Sequence, residues 1–359
     1  MRAVPSTPTT RAYSGSPILG SLSGRHTRLL AWGALFAALF AGVAARLLIG
    51  RDPSTGEWLF GIAEGEIVAL RVGAVQSGAA AGAALGLSGL LLQALLRNPL
   101  ASPFILELSE GAGLGATLAA WLPIAAAGTA AVWIGPDALL PGTLGSVSVL
   151  LLVFVLGRRG GVLDPLTLVL AGTVIASMCG AVTLLVQSLM PPTSRGELWS
   201  WFMGQVPELP RTLPWWNTVV IFVIVLCASS WKARALDVAS TGDDEAESLG
   251  VAVGSLRLWL LVGASALAAT SVALCGPIAF VGFMAPHMAR ALLGGLHGPL
   301  VPASALAGAA ILIWSDAIRQ GIDFGSGRLP IGVLTALVGG PLFLVMIRSA
   351  RLRRGDWSC

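Results

Sequence analysis

The sequence predicts an all-α, polytopic membrane protein of about ten transmembrane helices, and three observations predict it. Of its 359 residues, 55% are hydrophobic and only 11% charged, whereas a soluble domain carries about 25% charged residues. The apolar residues gather into runs of about 20, the length that crosses a hydrocarbon core as a helix. The basic residues between the runs fall mostly on one side.

Residues 1–28 are rich in Ser, Thr, Pro and Arg without apolar periodicity and read as a disordered cytoplasmic tail. Apolar runs follow near 29–49, 68–96, 111–133, 138–156, 166–190, 215–231, 256–275, 276–294, 301–319 and 330–348, and 351–359 reads as a second cytoplasmic tail. The first run exceeds a signal-peptide core and reads as a retained anchor. The second carries Gly78, Gly82 and Gly86 with Ala79 and Ala83 beside them, a flat face for close approach by another helix. It ends at Asn98-Pro99-Leu100-Ala101-Ser102-Pro103, where Pro99 and Pro103 stop the helix and Asn98 satisfies a freed backbone group. Glu107 and Glu110, three apart, share a face at the start of the third run. Their expected role is to complement the helix dipole, with a cationic group or the polar loop described next as other partners.

Residues 232–255 form the only substantial polar segment on the cytoplasmic side. Ser240 or Thr241 is expected to cap a short helix whose first turn holds Asp243, Asp244 and Glu245, and Gly250 to close it. Ala246, Leu249 and Val253 would give it one apolar face. A solvated linker helix and a docking helix for a cytoplasmic partner both fit this pattern.

With the N-terminus inside and ten crossings, only seven of the 22 basic residues fall outside: Arg46, Arg51, Arg71, Arg195, Arg211, Arg319 and Arg328. The positive-inside rule then puts both termini in the cytoplasm. Within the run from Cys275 to Arg290, Gly276, Pro277, Gly282 and Pro286 interrupt the helical ladder. Lipid cannot satisfy backbone freed in this way, so the stretch must be buried in protein or line a wet cavity, which points to transport.

Other chemistries are poorly supported. The arginines are dispersed among loops and form no nucleic-acid groove. Cys179, Cys227, Cys275 and Cys359 show no short C-x-x-C spacing and read as packing residues rather than metal ligands. Gly86-Leu87-Ser88-Gly89 with a later His287 would serve an intramembrane serine protease, but His287 is better read as bonding a backbone carbonyl freed by Pro286. Glu107, Glu110 and Asp316 would suit an ion-coupled secondary transporter, yet Asp316 pairs more simply with Arg319 at i+3. The chain has no G-x-x-x-x-G-K-[ST] phosphate loop, and its only lysine is Lys232.

Four segments together resemble the FecCD-type permeases of ABC importers for iron-siderophore, haem and vitamin B12. They are Leu87 to Pro103; Leu236-Asp237 to Gly242-Asp243-x-x-Ala246-x-x-Leu249-Gly250; Gly276 to His287; and Leu329 to Ala336 with Gly340-Pro341. The resemblance implies a fold like that of the vitamin B12 importer permease, paired with a second permease subunit, identical or paralogous. Two cytoplasmic ATPase subunits, which bind ATP and Mg, and an external substrate-binding protein would complete the transporter in a bacterial cytoplasmic membrane. No cofactor is expected on this chain, and a ferric siderophore is the expected cargo.

By the same resemblance, Leu236, Asp237, Gly242, Asp243, Ala246, Leu249 and Gly250 would couple to the ATPase. A charge at Ala246 or Leu249 should then uncouple transport without disturbing folding. Gly160, Gly161, Asp164, Pro165 and Thr167 would form the cytoplasmic gate region. Arg71, Arg319 and Arg328 would meet acidic residues of the binding protein. The chain departs from the family pattern at Ala74, where a second arginine is usual, in the one-residue shift of Arg319, at Arg328, where an acid is common, and at Glu107 and Glu110.

Overall fold

The computed structural model describes residues 25–51, 58–61, 65–102, 108–127, 139–159, 162–208, 212–322 and 329–354. In chain order the elements are α1 (Arg25–Leu48), β1 (Ile49–Arg51), β2 (Trp58–Phe60), α2 (Glu66–Leu95), α3 (Leu108–Ala127), α4 (Leu139–Leu156), β3 (Arg158–Arg159) and β4 (Val162–Leu163). There follow α5 (Pro165–Ser188), α6 (Pro192–Phe202), α7 (Thr212–Trp231), α8 (Ala233–Ala239), α9 (Asp243–Ser248), α10 (Val253–Cys275), α11 (Val281–Leu293), α12 (His297–Gln320) and α13 (Ile331–Arg354).

Setting aside the short α6, α8 and α9, ten helices match the ten apolar runs. α1, α2, α5, α7, α10 and α12 are long and apolar enough to cross a membrane, with shorter apolar helices at Pro141–Leu156 and Ile331–Val345. The tails lie mostly in undescribed residues, but α1 already begins at Arg25 and α13 continues to Arg354, so each helix takes a few residues assigned to a tail. The two strand pairs are tight antiparallel hairpins, Ile49↔Phe60 to Arg51↔Trp58 and Arg158↔Leu163 to Arg159↔Val162.

α2 is apolar on every side and buried along most of its length, as a central helix must be. Its glycines set how closely neighbours approach. A Cβ on Gly82 would strike Gly308 O, one on Gly86 would strike Ser304 O, and one on Gly89 would strike Gly282 O. Gly78 faces Ile313 with ordinary clearance, so the small-residue contact runs over 82–89 rather than 78–86. Buried hydroxyls add polar stitches, Ser88 Oγ donating to Ala264 O at 2.7 Å and Ser271 Oγ to Ala81 O at 3.3 Å.

The eighth apolar run is helical only in its later part. α10 stops at Cys275, Gly276 has φ +71, and α11 begins only at Val281, after Phe280 in the left-handed region at φ +66. At 13 residues, α11 is about 20 Å long, too short to cross a membrane. The freed backbone is met by other irregular backbone. Gln205 N donates to Cys275 O at 2.7 Å, Ile331 N to Gly204 O at 3.3 Å and Gly332 N to Met203 O at 3.2 Å. A Cβ on Gly204 would lie 2.7 Å from Pro277 O, so this three-way junction requires a bare backbone. Pro286, in contrast, does not break its helix; the carbonyl it frees is that of Gly282, which abuts Gly89.

Candidate functional site

Two polar clusters interrupt the apolar bundle, one at each end. At the first, α8 ends where Ser240 and Thr241 turn their hydroxyls back to Asp237 O at 2.6 Å and Val238 O at 2.8 Å. They therefore terminate α8 and do not provide the cap of α9 expected from the sequence, where Gly242 stands instead. α9 opens at Gly242, over which the Glu245 carboxylate folds. Its other end closes as a Schellman turn: Gly250, at φ +82, donates to Glu247 O at 2.9 Å, and Val251 N donates to Ala246 O at 2.9 Å.

The apolar face expected of α9 is divided. Ala246 is fully buried and Val253 nearly so, whereas Leu249 is 70% exposed. A charge at Ala246 would thus enter the core, correcting the expectation that folding would tolerate it. Leu236 is buried beneath α8.

Asp237 and Asp243 turn inward. Asp237 Oδ1 accepts from His297 N at 2.8 Å and lies 2.7 Å from His297 Nδ1, tying α8 to the first turn of α12. Asp243 Oδ1 pairs with Arg97 Nη2, just past α2, while Oδ2 pairs with Arg257 Nη2 of α10 at 2.7 Å. Nearby, Arg290 of α11 donates to Gln93 Oε1. Asn98 accepts from Leu100 N at 2.9 Å, meeting the backbone need expected beside Pro99; Pro103 lies outside the described residues.

In the expected gate region, Asp164 caps α5. Its carboxylate accepts from Thr167 N at 2.8 Å and Thr167 Oγ1 at 2.5 Å, and Pro165 occupies the first turn. The β3–β4 hairpin leads into this cap; Gly160 and Gly161 lie outside the described residues.

At the opposite end, buried Asp316 joins two helices: Oδ2 accepts from Arg46 Nε of α1 at 2.5 Å and Oδ1 from Arg319 Nε at 2.5 Å. Arg46 also reaches Glu208 Oε1 at 3.1 Å. Arg71 Nη1 donates to Leu47 O at 2.5 Å and Gly61 O at 3.1 Å, and a Cβ on Gly50 would fall 2.6 Å from Arg71 Nη2. Arg71 and Arg319 are only 4% and 5% exposed. Neither offers a surface charge to a binding protein: the Leu47 and Gly61 carbonyls claim Arg71, and Asp316 with the Val206 carbonyl claims Arg319; Arg328 is outside the described residues. Sequence reasoning overlooked Arg46 and Glu208. The signal for Arg46 was a cation placed in the last turn of an apolar run.

The remaining candidates have structural roles. Glu110 lies against Gly180 of α5, and Glu107 is outside the described residues. His287 Nδ1 lies 3.2 Å from Phe283 O, not the carbonyl that Pro286 frees. Among the described residues the cysteines are free and no cluster of His, Cys, Asp or Glu could hold a metal.

Comparison with known proteins accounts for this architecture. The FecCD transport family matches residues 35–349. The cobalamin import system permease protein of Halobacterium salinarum is 32% identical over 321 residues, covering 88% of this chain and 80% of that protein. The iron(3+)-hydroxamate import system permease protein of Escherichia coli is 30% identical over 310 residues, covering 86% of this chain but 45% of the longer relative. A solved inward-facing metal-chelate type ABC transporter superposes with a TM-score of 0.75 at 26% identity, covering 89% of this chain and 99% of the other. A bundle of membrane-crossing helices with a broken eighth run, matched along nearly its whole described length, belongs to the FecCD transport family of membrane permeases.

Proposed function

We propose that this chain is the permease subunit of a binding-protein-dependent ABC importer carrying a ferric siderophore across a bacterial cytoplasmic membrane. The α8–α9 end faces the cytoplasm, as do both chain termini, and the hairpin end faces the binding protein. Two ATPase subunits dock on the outer surface of the elbow around Leu249, while the inward-turned Asp237 and Asp243 hold the elbow to the bundle; the ATPase subunits bind the ATP and Mg, and no cofactor resides on this chain. A second permease, identical or paralogous, completes the pathway. Support for pairing comes from the hydroxamate relative, of which this chain spans 45%, leaving room for two such bundles.

The observation that carries the reading is Leu249. A large apolar side chain stands 70% exposed on a polar elbow whose framework is bonded to α2, α10 and α12. An apolar centre ringed by polar groups is the arrangement a protein contact uses, and Asp244, Glu245 and Glu247 supply that ring. Gly160, Gly161, Asp164, Pro165 and Thr167 would gate the cytoplasmic exit, and Arg328 remains a contact for the binding protein.

Proteoliposomes carrying the complete complex test this directly. ATP-dependent accumulation of a ferric hydroxamate, requiring both ATPase and binding protein, is the expected result. Accumulation of haem or cobalamin instead would reassign the cargo, and uphill transport by this chain alone would overturn the reading.

A further inference from the structure

We propose that Asp243 is a positioning residue that transmits movement of the elbow into the bundle, acting through Arg97 and Arg257 rather than by touching the ATPase. The inference rests on the ABC-importer reading above. α8 and α9 have seven and six residues, and only Ala233, Leu236 and Ala246 among them are buried. Ala235, Ala239 and Val251 pack only partly buried against the same core, so the apolar footprint is small and the polar links supply much of the segment's attachment.

Those links are distributed to move particular helices. Asp243 divides its carboxylate between Arg97, at the end of α2, and Arg257, on the second turn of α10. Arg97 Nε also donates to Ala239 O at 3.1 Å, so one guanidinium holds the end of α8 and the start of α9 together. Arg97 adopts φ +46, left-handed backbone that a non-glycine residue rarely accepts, and Phe280 at the α10–α11 break is the other described case. Asp237 makes the parallel link to α12 through His297.

α2 and α12 then run from these links to the opposite polar cluster, where Arg71 lies on α2 and Asp316 and Arg319 on α12. Tight glycine contacts at Gly82 and Gly308 make the two helices move together. The side chains of Arg97 and Asp243 are 36% and 37% exposed, so their pairing adds little to folding stability. A connection that contributes little stability yet joins three elements under backbone strain is suited to transmission.

The test uses the reconstituted complex with a ferric hydroxamate as cargo and cobalamin in parallel, measuring ATPase co-purification, ATP hydrolysis and cargo moved per ATP. Asp243→Asn should co-purify with the ATPase and hydrolyse ATP as wild type does, while cargo per ATP falls about two- to thirtyfold. Asp243→Glu should recover most of the loss. Adding Arg257→Gln to Asp243→Asn should cost little more than either change alone, because each breaks the same link. Unchanged cargo per ATP in Asp243→Asn, additive losses in the double variant, or loss of ATPase co-purification would each overturn the inference. Failure of the wild-type complex to move either cargo would instead sink the importer reading.

Discussion

The two polar clusters use the same chemistry in opposite surroundings. At the hairpin end the Asp316 side chain is 1% exposed and its partners Arg46 and Arg319 are 2% and 6% exposed. At the elbow, Asp243 and Arg97 are each more than a third exposed. In both places one carboxylate is shared by two arginines from different helices. Burial decides what the sharing does: removed from water, neither charge can lose its partner cheaply, so the hairpin end is locked, whereas solvated charges can part and re-form as the elbow moves.

The largest expected effect breaks the locked end. Asp316→Ala strands the buried Arg319 guanidinium and leaves Arg46 with Glu208 alone, and should destabilise the purified protein by about 3–5 kcal/mol, read as a fall in thermal or denaturant midpoint. Replacing Arg46, Asp316 and Arg319 together with Met, Leu and Met should recover much of that loss, because the only carboxylate that then loses an arginine, Glu208, is a quarter exposed to solvent. If Asp316→Ala unfolds as wild type does, the cluster is not buried in the folded protein.

Next comes the contrast within the elbow. Ala246→Asp places a carboxyl in a fully buried site without a partner and should cost about 1–3 kcal/mol even when protonated. Leu249→Asp, at an exposed site, should change stability by less than about 0.5 kcal/mol while abolishing co-purification of the ATPase. Equal stability in the two variants would contradict the assignment of Ala246 to the core side of α9.

This contrast also marks what the sequence made legible. Apolar run length located ten helices, because membrane thickness imposes it on the chain locally. The i, i+3 spacing of Asp316 and Arg319 announced their pairing, and Gly250 the end of α9. Spacing could not assign Ala246 and Leu249 to opposite faces, since a six-residue helix ends before its periodicity is established. Nor could it join Arg46 to Asp316, 270 residues apart, or Arg97 to Asp243, 146 apart; such contacts depend on packing that no local pattern encodes. For the same reason Arg71 and Arg319 looked like surface charges. α6, with charged and aromatic residues intermixed and no apolar stripe, offers no run that apolar length could locate.

A smaller effect is expected at the α5 cap. Asp164→Ala removes an acceptor from Thr167 N and should cost about 1 kcal/mol, whereas Asp164→Asn or Asp164→Ser should retain most of it. Because Pro165 already sets the first turn, the loss should appear as faster amide exchange confined to the start of α5. Faster exchange throughout that helix would mean that the cap holds more than its own turn.

The smallest stability effect should come from the elbow's own ion pairs. Asp243→Asn and Arg257→Gln should each shift the unfolding midpoint by an amount equivalent to less than about 1 kcal/mol, and raising salt from 0.1 to 1 M should shrink even that difference. The hairpin-end cluster, excluded from water, should show a salt response several times weaker relative to its contribution. Comparing Asp243→Asn with Asp316→Asn across that salt range therefore separates the two kinds of cluster without any transport assay. A salt-insensitive loss of several kcal/mol at Asp243 would place its carboxylate in a dry environment, and the elbow would then be fixed as firmly as the hairpin end and unable to carry a stroke.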